Sequence, residues 1–104
     1  MGKYIDKRHL PDMIQVLEED ILYAEKQVEG EFGEFEEPYP PQLLELVKLL
    51  TLQRACIRLA QTEDTIYMEK AKGYKSLAED MKKSLVNAVS RRNTALGTVR
   101  FQRG

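Results

Sequence analysis

An all-α chain is what this sequence predicts: a three-helix bundle with an amino-terminal arm and an extended, basic carboxy-terminal tail. Three observations predict it. The run LLELVKLLTLQRACIRLA at residues 43–60 is apolar around most of a helical circumference, its polar positions Glu45, Lys48, Thr51, Arg54 and Arg58 forming one thin stripe. On either side of it lie segments whose apolar residues recur at steps of three and four. Prolines or capping residues separate the three.

The chain has 104 residues, 42% hydrophobic and 32% charged, which suits one domain with one core. Residues 1–10 read as an arm held by Tyr4, Ile5 and Leu10 and otherwise expected to be mobile. Pro11 and Asp12 carry the signals of a helix start, proline because the first turn needs no intrahelical donor and aspartate because it faces the positive end of the helix dipole. The seam Ile14, Leu17, Ile21, Ala24, Val28 then continues that helix. Pro38, Pro40 and Pro41 end it, and the acidic connection they punctuate carries Phe32, Phe35 and Tyr39, rings expected to cover the open end of the core.

Pro41 fits the first position of the central helix, which is predicted to run to about Gln61. Its length alone matches a membrane span, but it holds four charges, each costing roughly 2.5–3.5 kcal/mol at a bilayer centre. A buried helix of a soluble protein is therefore expected, with Cys56 as a reduced interior thiol. Residues 62–65 resemble an N-cap region. The third helix shows Tyr67, Ala71, Tyr74, Ala78, Met81, Leu85 and Ala88, widened by Leu77 and Val89. Gly73 inside it serves either the close approach of another backbone or nothing beyond surface tolerance.

The bundle domain is thus placed at residues 1–89 and the tail at residues 90–104, where no helical period is found. Val99 and Phe101 alternate there with polar residues, a short pattern compatible with a strand. Charge is divided along the chain: residues 18–37 hold nine acids against Lys26, a net of −8, whereas residues 81–104 hold six bases and no acid. A subunit of this kind can associate head to tail, and such a contact closes into a ring when the rotation permits. Solvated faces are the plainer reading of the same runs.

Catalytic and metal-binding patterns are absent. His9 is the only histidine and lies in the arm; there is no HExxH, no paired CxxC, no calcium loop and no phosphate-binding glycine loop. A non-enzyme with no cofactor and no metal is expected. Consecutive Glu18, Glu19 and Asp20 point in different directions on a helix and do not converge unaided. The basic tail could neutralise phosphates, but the acidic region opposes DNA and no helix-turn-helix spacing is present.

The arm YIDKRHL, the helix DMIQVLEEDILYAEKQVEGEF, the connection EEPYPPQ, the helix end QRACIRLA and the segment DTIYMEKAKGYKSLAEDM together resemble the small helical head-tail connector proteins, also called adaptor or head-completion proteins, of tailed bacteriophages and prophages. The likeness covers residues 4–89 and rests on order, length and pattern rather than an exclusive motif. It implies a virion structural protein, made in the bacterial cytoplasm, that forms a ring, typically of twelve copies. The ring docks on the portal after packaging and offers a surface to tail or stopper proteins, while DNA passes through without sequence-specific binding and no membrane is involved. By location, the resemblance gives Arg91, Arg92, Leu96, Val99, Arg100, Phe101 and Arg103 to partner binding. The acidic face, Glu18, Glu25, Glu29, Glu36 and Glu37, then meets a neighbouring subunit or lines the channel. Two other readings stay open: a helical regulator that binds a protein through its acidic face, and a DNA-associated protein using its tail.

Overall fold

A computed structural model describes residues 3–6, 8, 10, 11 and 14–96, with side chains as far as residue 89. Three helices follow one another, α1 (Glu18–Phe32), α2 (Pro41–Thr62) and α3 (Ile66–Leu96). Among the described residues there is no strand, and the chain is an all-α three-helix bundle. Its extents are 51 × 25 × 19 Å.

Helix α2 lies between the other two and is the most buried element. Leu43, Leu46, Val47, Ala55 and Cys56 are wholly inaccessible, because neighbours cover the helix on two sides. From α1 come Ile21, Ala24 and Val28. From α3 come Ala71, Ala78 and Leu85, seven residues apart, where the two alanines let α3 lie close against α2. Tyr67, Tyr74, Met81 and Val89 fill the edges of that seam as expected, whereas Leu77 is exposed. Thr51 is buried within the polar stripe of α2; its hydroxyl donates to the Val47 carbonyl at 2.7 Å, so the interior receives no orphan donor.

Several boundaries differ from expectation. Helix α1 begins at Glu18, not near Pro11, and Leu17 is extended (φ −100°, ψ 157°). Leu10, Ile14 and Val16 are all buried, and Ile14 and Val16 two residues apart follow the period of extended chain rather than of a helix. The Asp20 carboxylate accepts from the Leu17 N–H at 2.9 Å and caps the helix there. At its far end Gly33 adopts φ 85°, a conformation that favours glycine, and its N–H donates to the Glu29 carbonyl at 2.8 Å. Helix α2 starts at Pro41 as predicted and reaches Thr62. Asp64 Oδ1 then accepts from the Ile66 N–H at 3.0 Å, so residues 63–65 form a tight antiparallel turn into α3.

Helix α3 continues to Leu96, beyond the boundary placed at Val89. Residues 90–96, expected to be extended, are helical; the strand pattern at Val99 and Phe101 lies outside the described residues. A helix that outruns its packing partner has no face to bury and need not show an apolar period. Gly73 is exposed with nothing within 4 Å of the position a Cβ would take, so among the described residues no backbone outside its own helix approaches it.

Candidate interaction surfaces

The acidic residues of α1 divide into groups with different roles. Glu25 and Glu29, one turn apart, face the arm. Glu25 is buried, and its carboxylate accepts from three successive backbone N–H groups, those of Lys3 (2.9 Å), Tyr4 (2.6 Å) and Ile5 (3.4 Å). Glu29 Oε2 accepts from the Tyr4 hydroxyl at 2.6 Å and from Lys3 Nζ at 2.9 Å. The Tyr4 hydroxyl in turn accepts from the Phe35 N–H at 3.3 Å, and its ring meets those of Tyr39 and Phe35 edge-on, with centroids 4.8 and 6.3 Å away. The hydrogen bond from Tyr4 and then the Lys3 ammonium hold the Glu29 carboxyl below its ordinary pKa. Burial, reinforced by Glu29, pushes the Tyr4 phenol up. Glu25 and Glu29, placed by sequence on an outward acidic face, thus belong to an internal clamp.

Asp20 makes the second cluster. Only 1% exposed, it pairs through Oδ2 with Arg58 Nη2 at 2.8 Å and through Oδ1 with Arg54 Nε at 3.4 Å. Arg58 Nη2 also donates to the Gln15 carbonyl at 2.7 Å, and the Arg54 guanidinium lies 4.0 Å from the centroid of the Tyr23 ring. The cluster joins the start of α1 to the end of α2 and walls a groove of about 460 Å³ lined also by Glu19, Gln27, Leu50, Gln53, Ile57 and Gln61. The sequence reading missed it. The available signal was Arg54 and Arg58, four apart on an apolar helix, which need an acid opposite them.

Glu18, Glu36 and Glu37 are exposed, Glu18 in the first turn of α1 and the others in the connection to α2. Glu18, Glu25 and Glu29, seven and four positions apart, share one face of α1, but Glu25 is buried in the clamp and Glu29 is paired with Lys3, so that face is not the open acidic surface expected. The acidic and basic parts of the chain meet at one end of the molecule rather than at opposite ends: Lys82 Nζ of α3 lies 3.1 Å from Glu31 Oε1 near the end of α1. Arg91, Arg92 and Leu96 lie in the last turns of α3, and Val99, Arg100, Phe101, Arg103 and His9 fall outside the described residues.

Exposed large apolar side chains are spread over α1 (Leu22, Tyr23), α2 (Ile57) and α3 (Ile66, Met68, Leu77, Val86). Burial raises the Cys56 thiol pKa and keeps it protonated, as expected of an interior cysteine. Among the described residues no three acidic, histidine or cysteine side chains are grouped to hold a metal ion, and no helix is long and apolar enough to cross a membrane. No family model, no curated protein and no solved structure matches this chain.

Proposed function

We propose that this protein is a structural assembly subunit: a head-tail connector of a tailed phage or prophage that forms a ring, docks on the portal and extends the DNA channel toward the tail. The observation that carries this reading is the length of α3. It has 31 residues against 22 in α2, and the tight turn between them starts both from the same level. The nine-residue excess carries α3 roughly 13 Å past α2 at 1.5 Å per residue. Arg91 and Arg92 sit on that projection, where cations also favour the negative end of the helix dipole. A basic helix reaching beyond its own core has the form of a contact arm toward a neighbouring subunit or a larger ring.

The bundle supplies a rigid base for that arm, and exposed Glu36 and Glu37 at the same end offer a neighbour's arginines a complementary surface. Ring contacts in this reading gather at the end where α3 emerges. DNA passes a lumen to which no base-reading element is directed, so its passage is independent of sequence.

Native mass measurement of the full chain with a purified portal ring tests the proposal. The expected result is a portal complex carrying multiple copies, lost when residues 90–104 are deleted. Portal binding that survives the deletion counts against the role given to the arm, and absence of any portal complex counts against the connector reading. A protein-binding regulator is the second reading, favoured by the groove beside Tyr23 and Arg54. It predicts a single partner held at one-to-one ratio, with binding abolished by Tyr23→Ala and indifferent to the tail.

A further inference from the structure

We infer that the groove between α1 and α2 is a docking site for an amphipathic helix of another protein, one whose apolar face bears a carboxylate set against Arg54. The inference rests on the protein-binding reading given above and names the chemistry of that partner; it requires no ring.

The contacts of Asp20 with Arg58 and of Tyr23 with Arg54 set α1 and α2 antiparallel along the groove. Glu19 and Gln61 therefore stand at one end, Tyr23 and Arg54 at the middle, and Gln27 and Leu50 at the other. No described residue of α3 or of the arm lines it. From Leu50 to Gln61 the α2 wall runs roughly 16 Å at 1.5 Å per residue, three turns of a facing helix. A small anion would engage one point of such a trough. Leu50 and Ile57, two turns apart on one wall, instead suit the apolar anchors that a helix presents seven residues apart.

Inside the groove the charges do not balance. Arg54 and Arg58 share one buried carboxylate, and its Oδ2 already accepts from Arg58 and from the Leu17 N–H. Arg54 keeps an ion pair at 3.4 Å and makes no hydrogen bond among the described residues. Its Nε is inaccessible, but its two Nη groups are not, and the side chain is 40% exposed. The Tyr23 ring 4.0 Å away restrains the guanidinium, so an arriving carboxylate meets a fork that has already lost much of its freedom. Tyrosine and arginine side by side are also the residue types that dominate binding energy at protein interfaces. Glu19 is the one exposed acid of the lining and lies at the end of the groove, where it favours a basic residue on the partner and so sets the direction of the bound helix.

The test presents the full wild-type chain with a displayed library of short helical peptides, randomised along one face among leucine, isoleucine, glutamate, glutamine and lysine. Binders should carry a glutamate with apolar residues one turn to either side, hold the chain at one-to-one ratio, and weaken at least tenfold when that glutamate becomes glutamine. Arg54→Gln should weaken the glutamate peptide by the same factor and leave the glutamine peptide unchanged, the mark of a direct pair. Ile57→Glu should abolish binding of both. Helices that need Ile57 but carry no acid, or whose acid is not coupled to Arg54, overturn the inference and leave the protein-binding reading standing. A library that yields no binder, or only binders indifferent to Ile57→Glu, overturns the groove as a docking site and that reading with it. Should Arg54→Gln lose helix, the Arg54 Nε–H resonance of the wild-type chain reads the pair instead. A shift caused by the glutamate peptide and not by its glutamine form supports the inference, and equal responses to the two refute it.

Discussion

Asp20 joins three elements through one carboxylate: the Leu17 N–H, Arg58 and Arg54 all converge on it. Removing one member of a fully buried pair costs about 3–5 kcal/mol. Here the arginine side chains are 40% and 30% exposed, so water screens part of the interaction and about 2 kcal/mol is expected for Asp20→Ala. Urea unfolding should show this as a lower midpoint with an unchanged slope. The same substitution at neighbouring Glu19, which is exposed, should change stability by less than about 0.5 kcal/mol. A pH effect belongs to the same scale. Glu29 has a lowered carboxyl pKa when folded, so its stabilisation of the arm is complete above the ordinary carboxylate value and is lost as pH falls through the depressed one. Tyr4 has a raised pKa, so its share is complete below the ordinary phenol value and is lost as pH rises through the elevated one. Amide exchange of Tyr4 and Ile5, corrected for intrinsic rates, should therefore show protection across the neutral range and lose it first at the acidic edge, before the core helices open. Protection that vanished near neutrality would contradict this assignment. The spacing of Arg54 and Arg58 was the one sequence signal for this polar chemistry; which acids answer it was not legible, because Asp20, Glu25 and Glu29 stand among other acids whose side chains do face water, and only the packing partner separates the two kinds.

At the scale of the element, α2 and the packed part of α3 were legible because each buries a stripe against a long neighbour, and that burial imposes the period on the residues. Pro41 and Asp64 marked the starts of both for local reasons that tertiary contacts do not override. Two boundaries moved. Ile14 and Leu17 fit a helical seam on paper, yet Leu10, Ile14 and Val16 are buried ahead of the helix, which Asp20 caps at Leu17. Residues 90–96 show no apolar period, and they nonetheless continue a helix whose next glycine is Gly97. Gly73 gives the prediction for this scale. It lies inside α3, is exposed, has a negative φ like its neighbours and has open space around it. Gly73→Ala should accordingly stabilise the fold by about 0.5–1 kcal/mol, through lower entropy of the unfolded chain and better helix propensity. Thermal unfolding measures it, and a destabilised variant would mean that the site is occupied by another chain in solution.

For the molecule as a whole, the division of charge was visible in the sequence but its placement was not. Distance along the chain suggested opposite faces; two antiparallel connections return the end of α3 to the end of α1, and Lys82 meets Glu31 there. The core and the arm-bearing end are consequently separable. Val89 is the last described side chain of α3 that packs on the core, so removing residues 90–104 takes away no core contact among the described side chains. The truncated chain should keep its helical signal through residue 89 and change in stability by no more than about 0.5 kcal/mol. Any self-association driven through that end should at the same time weaken at least tenfold. Sedimentation velocity over a concentration series, paired with thermal melting of the same samples, separates the two effects. A tail that served only to finish the core would lower the melting temperature and the assembly together, whereas a tail that reaches for a neighbour would lower assembly alone. Raising salt should reproduce the second pattern in the intact chain, since surface charges on facing copies lose their attraction beyond about 8 Å at physiological ionic strength and sooner above it.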